Sequence, residues 1–163
     1  MGDEVARELQ KFMKQNKLII QRLVDRAEQL GQQIQTSSPF VLCHADIHGG
    51  NVLIDKNDNI FIVDWGEPIM APKERDLMFI GGGVANVWNK SEEEKLFYKG
   101  YGKTEVNRTF LAYYRHERIL EDIAIYGQQL LLNEGDDQDR RKSYEQFIAQ
   151  FDPRGVVEIA FNT

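Results

Sequence analysis

Residues 44–51 read HADIHGGN, inside the run FVLCHADIHGGNVLI that extends from Phe40 to Ile54. Two histidines, an aspartate, two glycines and an asparagine stand there between two apolar segments. Three readings compete: a loop that handles phosphate, a metal cluster, and a polar turn between buried strands. The neighbouring sequence decides among them.

Downstream, Val52, Leu53 and Ile54 are followed by the polar run DKNDN and by apolar residues from Ile60 to Val63, a pattern that predicts a β-hairpin. Asp64 ends its second strand. A hairpin returns its second strand to where the first began, so Asp46, Asn51 and Asp64 come to one end of a ribbon. Each of the three alone is an ordinary cap or turn residue. Together they offer hard oxygen donors of the kind that Mg²⁺ takes when it escorts phosphates.

Upstream, Val5, Leu9, Phe12, Ile19, Ile20, Leu23, Ala27, Leu30 and Ile34 recur mostly three or four apart, the spacing of one helical face. One long helix from Asp3 to about Gln35, or two divided near Asn16, is predicted, with more apolar surface than the residues ahead of it can cover. Thr36, Ser37, Ser38 and Pro39 break the pattern, and a short strand from Phe40 to Cys43 follows. Pro68 and Pro72 mark a segment expected to be irregular. ERDLMF opens a helix, and Gly81 to Gly83 are too flexible to lie inside one. The stretches Ser91 to Gly100, Val106 to Asn133 and Asp137 to Phe151 read as helices. The expected fold class is α+β, mostly helical, with a small β-hairpin carrying the chemistry, in a single domain over 1–163.

Composition narrows the function. The 163 residues are 42 % hydrophobic, and 20 basic against 26 acidic side chains give a formal charge of -6. No segment gathers lysine and arginine into a stripe, so nucleic acid is not an expected ligand. Cys43 is the only cysteine, which leaves no internal disulfide and no thiolate cluster; a reducing, cytoplasmic setting is expected. MGDEVARELQ lacks the apolar core of a signal peptide and no long apolar run follows, so neither export by that route nor a membrane location is expected.

Three other motifs fail on their own terms. DKNDN could open a calcium loop, but Ile60 stands where glycine is needed and Gly66 where a bidentate glutamate belongs. Asp46-Ile47-His48-Gly49 matches the opening of binuclear metallophosphoesterases, yet the one remaining histidine, His116, lies in a helical pattern. The glycines at 81–83 are followed by no Lys-Ser or Lys-Thr and are no phosphate cradle.

HADIHGGN followed by IVDWGEP resembles the catalytic and metal-binding motifs of the aminoglycoside phosphotransferase family, which shares the protein-kinase-like fold. The matching residues are His44, Asp46, Asn51, Asp64 and Trp65. APKERDLMFIGGG and YYRHERILEDIAIYGQQLL resemble more particularly the spectinomycin-phosphotransferase branch, and together these stretches span about residues 40–132. The resemblance implies an enzyme that moves a phosphoryl group from ATP to a hydroxyl of a small cationic acceptor. Asp46 would be the catalytic carboxylate that orients the hydroxyl and takes its proton. Asn51 and Asp64 would hold Mg²⁺ against the nucleotide phosphates. His48 would face the γ-phosphate or brace the loop, His44 would support the loop from inside, and Asp76 would accept backbone hydrogen bonds from it. Glu117, Glu121 and Asp122, beside an apolar face of Ile119, Ile123 and Leu130, would meet the cationic acceptor. Trp88 and Tyr98 read as packing residues.

The pattern departs from the family upstream of His44. A kinase of this fold opens with a β-rich lobe that carries a phosphate loop, a strand lysine and a helix glutamate. Here the residues before His44 are patterned as helix. The chain therefore reads as the C-terminal lobe alone, inactive without the missing N-terminal lobe and able to self-associate through the surface that lobe would cover. The alternatives are a degenerate lobe acting as a binding module and a kinase for choline, homoserine or another hydroxylated metabolite.

Overall fold

The structure is a computed structural model that describes residues 3–34, 39–84, 89–132 and 136–163. Thr36, Ser37, Ser38 and Trp88 lie outside the described residues.

The first helix, α1 (Glu4–Gln15), starts because the Asp3 side chain accepts a hydrogen bond from the Ala6 N–H at 3.1 Å. It stops at Asn16, whose backbone N–H and side-chain amide both donate to the Phe12 carbonyl at 3.0 Å. The chain resumes at once as α2 (Lys17–Gln33), so the apolar pattern belongs to two helices. Val5, Leu9, Leu23 and Leu30 are buried. They pack with Ile119, Ile123, Phe147 and Val157, contributed by α5 (Arg108–Leu132), α6 (Asp137–Ala149) and α7 (Val156–Phe161). The later helices of the same chain thus cover part of the apolar surface of the first two, while Leu18 and Ile19 of α2 stay exposed. Phe12 adds edge-on contacts with Phe147 and Phe151, at ring-centroid distances of 5.7 and 5.1 Å.

Four short strands form two antiparallel ribbons at the other side of α5. β1 (Val41–Cys43) pairs with β4 (Ile69–Ala71), Cys43 opposite Ile69. β2 (Val52–Ile54) pairs with β3 (Ile60–Ile62), Leu53 opposite Phe61. The DKNDN turn is tied by Asp55, whose carboxylate accepts from the Asn57 and Asn59 N–H groups at 2.8 and 2.9 Å. β4 falls in the segment expected to be irregular. Pro68 and Pro72 flank this strand without interrupting it, and neither has to donate to the ladder. α7 was not expected either; it follows a turn that ends at its N-cap, Gly155.

Between the ribbons and α5 lie α3 (Glu74–Leu77) and α4 (Ser91–Tyr101), with a second core of Leu77, Met78, Phe79 and Leu111. Tyr98 packs against that core. The triple glycine makes the exit from α3. A Cβ on Gly82 would sit 2.3 Å from the Met78 carbonyl oxygen, and Gly81 and Gly83 have φ of 70° and 75°. Arg115 fixes this turn by donating to the Met78 and Ile80 carbonyls at 3.1 and 2.7 Å. Burial works against its charge and lowers its pKa to about 10.

The ribbons are largely uncovered, the β2–β3 hairpin on both faces, because successive side chains alternate between faces and both kinds are exposed. Leu42, Leu53, Ile54, Ile60, Phe61 and Met70 are each more than half exposed, Ile54 and Ile60 reaching 67 %. Among the described residues no helix is long and apolar enough to cross a membrane.

Candidate active site

The loop from His44 to Asn51 is held at both ends. On one side the Asp76 carboxylate, carried by α3, accepts from the His44 N–H at 2.9 Å and from the Ala45 N–H at 2.8 Å. This lets Ala45 keep φ at 70°, a left-handed conformation that costs a β-carbon-bearing residue about 1–2 kcal/mol. On the other side the His44 ring is buried. Its Nδ1 accepts from the Asp46 N–H at 3.3 Å, so Nε2 carries the proton and donates to the Val63 carbonyl at 2.8 Å. Trp65 packs edge-on to that ring, 4.7 Å between centroids, and donates its indole N–H to the Ile62 carbonyl at 3.0 Å. His44 therefore links the loop to the end of β3.

Within the loop, the His48 N–H and the Asn51 side-chain amide both donate to the Asp46 carbonyl at 2.9 Å. The Asn51 carbonyl in turn accepts from the Val63 N–H at 3.0 Å. The hairpin thereby carries Asp64 back to the loop. Asp64 has φ of 65°, another left-handed residue, next to the functional candidates. Among the described residues its carboxylate takes no hydrogen bond, and neither does the side-chain oxygen of Asn51. The Asp64 carboxylate and the Asn51 oxygen are hard donors left open, of the type that suits Mg²⁺. No three His, Cys, Asp or Glu side chains among the described residues gather as a metal site, so the binuclear phosphoesterase reading finds no ligand set there.

His48 is placed by a local turn, its Nδ1 accepting from the Gly50 N–H at 3.0 Å. A Cβ at residue 50 would lie 2.8 Å from the His48 ring and would push that ring from its place. The other ring nitrogen, Nε2, faces the Asp46 Oδ2 at 3.6 Å, too far for a hydrogen bond.

The acidic residues of α5 divide. Glu117 accepts from the Tyr113 hydroxyl at 2.8 Å, and burial together with Glu117 pushes Tyr113 up to about 12. Glu121 is exposed and stands 4.0 Å from Arg75. Asp122 alone of the three reaches the loop, through Arg118. The Arg118 Nη1 donates to the Asp46 Oδ1 at 2.7 Å and its Nε to the Asp122 Oδ1 at 3.1 Å. Burial raises the pKa of Asp122 and the Arg118 charge opposes this. Burial also works against the Arg118 charge, but Asp122 and Asp46 outweigh it and the net shift is upward. Arg118 was missed from the sequence, although its four-residue spacing from Asp122 on a helix marks a pair that faces the same way.

A cleft of about 960 Å³ opens beside this cluster, lined by His48, Arg118, Ile119, Asp122, Tyr126 and Gln146 among others. Glu117 and Glu121 are not among its lining residues.

The loop and the mostly helical fold are those expected of a phosphotransferase, and the chain belongs to the phosphotransferase enzyme family (APH), whose family model matches residues 2–114. Two crystal structures of spectinomycin phosphotransferase, APH(9)-Ia, share its fold. The complex with ADP and spectinomycin is 54 % identical with a TM-score of 0.90, over 98 % of this chain and 49 % of that one. The AMP-bound complex is 55 % identical with a TM-score of 0.88, over 99 % of this chain and 50 % of that one. An uncharacterized protein of Metamycoplasma hominis is 27 % identical over 77 residues, which is 47 % of this chain and 15 % of that protein. The chain thus spans about half the length of the solved structures it matches and has the mostly helical, kinase-like fold of that part.

Proposed function

We propose that the chain is the catalytic, acceptor-binding lobe of an ATP-dependent O-phosphotransferase whose acceptor is a cationic aminocyclitol such as spectinomycin. The observation that carries this reading is the position of Asp46. Its loop is fixed by Asp76, His44 and Asn51, and its carboxylate, itself outside the cleft lining, is held against Arg118 and beside His48, two residues that line the cleft. A hydroxyl presented from the cleft would give its proton to Asp46 as its oxygen bonds to the γ-phosphorus. The bond from that phosphorus to the β–γ bridging oxygen breaks, and ADP leaves. Such a transfer asks the protein for positioning and charge neutralisation more than for covalent work.

Asn51 and Asp64 would hold Mg²⁺, which when bound neutralises charge on the nucleotide phosphates. Asp122 is the acidic residue of α5 available at the acceptor side. The reaction, with its need for ATP, and a lone buried thiol both suit the cytoplasm. The exposed ribbon face is the surface to which the rest of a longer kinase would dock, because the solved relatives are about twice this length.

The test is a chimera in which this chain replaces its matching half of spectinomycin phosphotransferase, assayed for ADP release with spectinomycin. Turnover abolished by Asp46→Asn supports the reading. A folded chimera without turnover, or robust turnover by the 163-residue chain alone, overturns it.

A further inference from the structure

The two oxygens of the Asp46 carboxylate have different surroundings. Oδ1 receives the Arg118 Nη1 at 2.7 Å, a short charge-assisted hydrogen bond. Among the described residues, Oδ2 has only the His48 ring, at 3.6 Å. Arg118 is itself held at its other edge, its Nε donating to Asp122 one helical turn along α5. Its guanidinium also lies over the Phe79 ring, 5.9 Å from the centroid, on the buried side. The side chains of Arg118 and Asp122 are 23 % and 18 % exposed, so both are largely withdrawn from water. A planar fork fixed at both ends and backed by an aromatic ring has little freedom to rotate.

We infer that Arg118, clamped by Asp122, is a positioning residue that locks the Asp46 carboxylate with Oδ1 occupied and Oδ2 open to the acceptor hydroxyl. This rests on the phosphotransfer reading of Asp46 given above. It gives Asp122 a role in orienting the base through Arg118, in place of direct contact with the acceptor. A freely turning carboxylate would present either oxygen, at varying distance, to a hydroxyl held in the cleft. Misplacement of a reacting group by about 1 Å costs on the order of 100-fold in rate. The arginine also keeps a positive charge beside Oδ1 without blocking the oxygen that receives the proton.

Two measurements test the inference. In the chain itself, ¹⁵N NMR of the Arg118 side chain reads the clamp. A guanidinium gripped by two carboxylates shows resolved Nη signals, and a free one shows averaged signals. Resolved signals that collapse in Asp46→Asn and in Asp122→Asn are expected; averaged signals in the unsubstituted chain overturn the clamp whether or not the protein is a phosphotransferase. In the active chimera, Arg118→Met should lower kcat about 100-fold with the KM for spectinomycin and for Mg·ATP within about twofold. Arg118→Lys should recover part of that loss, and Asp122→Asn added to Arg118→Met should cost little more. A KM for spectinomycin raised about tenfold by Asp122→Asn, with kcat unchanged, would instead make Asp122 an acceptor ligand and overturn the positioning role. Absence of turnover in the unsubstituted chimera counts against the phosphotransfer reading alone, and the NMR result then decides the clamp.

Discussion

The Ala45 N–H donates to the Asp76 Oδ1 at 2.8 Å, and the same carboxylate accepts the His44 N–H through Oδ2 at 2.9 Å. One side chain on α3 therefore holds two consecutive peptides of the catalytic loop, one of them in a left-handed conformation. Hydrogen bonds to a charged group contribute about 1.5–3 kcal/mol each. Asp76→Asn removes the charge and sets an amide NH₂ against one of the donors. A loss of about 2 kcal/mol in unfolding free energy is expected, read from the urea midpoint. An unchanged midpoint would show that the loop holds itself.

Asp46 and Asp64 should separate in kinetics. Asp46→Asn should lower turnover of the chimera by roughly three orders of magnitude or more while leaving Mg·ATP affinity nearly unchanged, as for a residue that acts in the transition state. Activity like that of the unsubstituted enzyme would sink the assignment.

Asp64→Ala should weaken Mg·ATP binding as well as chemistry, because it removes one of two open oxygen donors. Calorimetric titration of Mg·ATP reads this directly. Equal affinities with and without the Asp64 carboxylate would leave it only a turn residue beyond β3.

Much of this was legible in the sequence because it depends on local chemistry. Asn16 divides the N-terminal helices, its side-chain amide sharing the Phe12 carbonyl with its own N–H, the local hydrogen bonding that favours asparagine at helix ends. The DKNDN turn and the two strands around it follow from alternation and turn preference. β4 was not legible, because its pairing with β1 joins residues on either side of the catalytic hairpin and the two prolines at its ends mask a short strand. The same holds at the site. Asp46, Asn51 and Asp64 are near one another along the chain, whereas Arg118 reaches Asp46 from 72 positions away on a helix whose charges look like a solvated face. Glu117 and Glu121 share that helix with Asp122 and point elsewhere, a distinction that rotation about the helix axis makes and composition does not.

Stability should fall in mild acid through His116. This ring is buried in α5 against Phe161, its Nδ1 bonded to the Ala112 carbonyl at 2.8 Å. Its Nε2 has no partner among the described residues. Burial lowers its pKa below the model-compound value of 6.5, more than the Ala112 bond raises it, and Arg26 adds to the lowering. The unfolded chain therefore binds a proton below pH 6.5 that the native ring resists. Stability from this group is complete above that pH and is lost as pH falls through the lower, native value. Urea midpoints at about pH 7.5 and about pH 5.5 should differ less in His116→Leu than in the unsubstituted chain. An identical difference in both would show that the ring is protonated at no cost in the native state.

The ribbon face should make the isolated chain associate. Leu42, Leu53, Ile54, Ile60, Phe61 and Met70 are all more than half exposed on four short strands. Soluble monomers rarely leave so many large apolar side chains uncovered on neighbouring elements. Burying what remains exposed of each removes on the order of 1 kcal/mol of unfavourable contact with water, so a second copy gains by covering them. The N-terminal helices offer less, because Val5, Leu9, Leu23 and Leu30 are already packed within the chain and, among their described apolar residues, only Leu18 and Ile19 of α2 are exposed. Light scattering should show an average mass that rises with concentration. Ile54→Lys with Ile60→Lys should hold the chain monomeric with an unchanged helical circular dichroism signal, since both side chains are exposed at the tip of the hairpin. In the chimera the same pair of lysines should weaken the joining of the two halves and lower the melting temperature. A chain that stays monomeric at every concentration before substitution would show that water tolerates this face and that association plays no part in how the lobe is kept in solution.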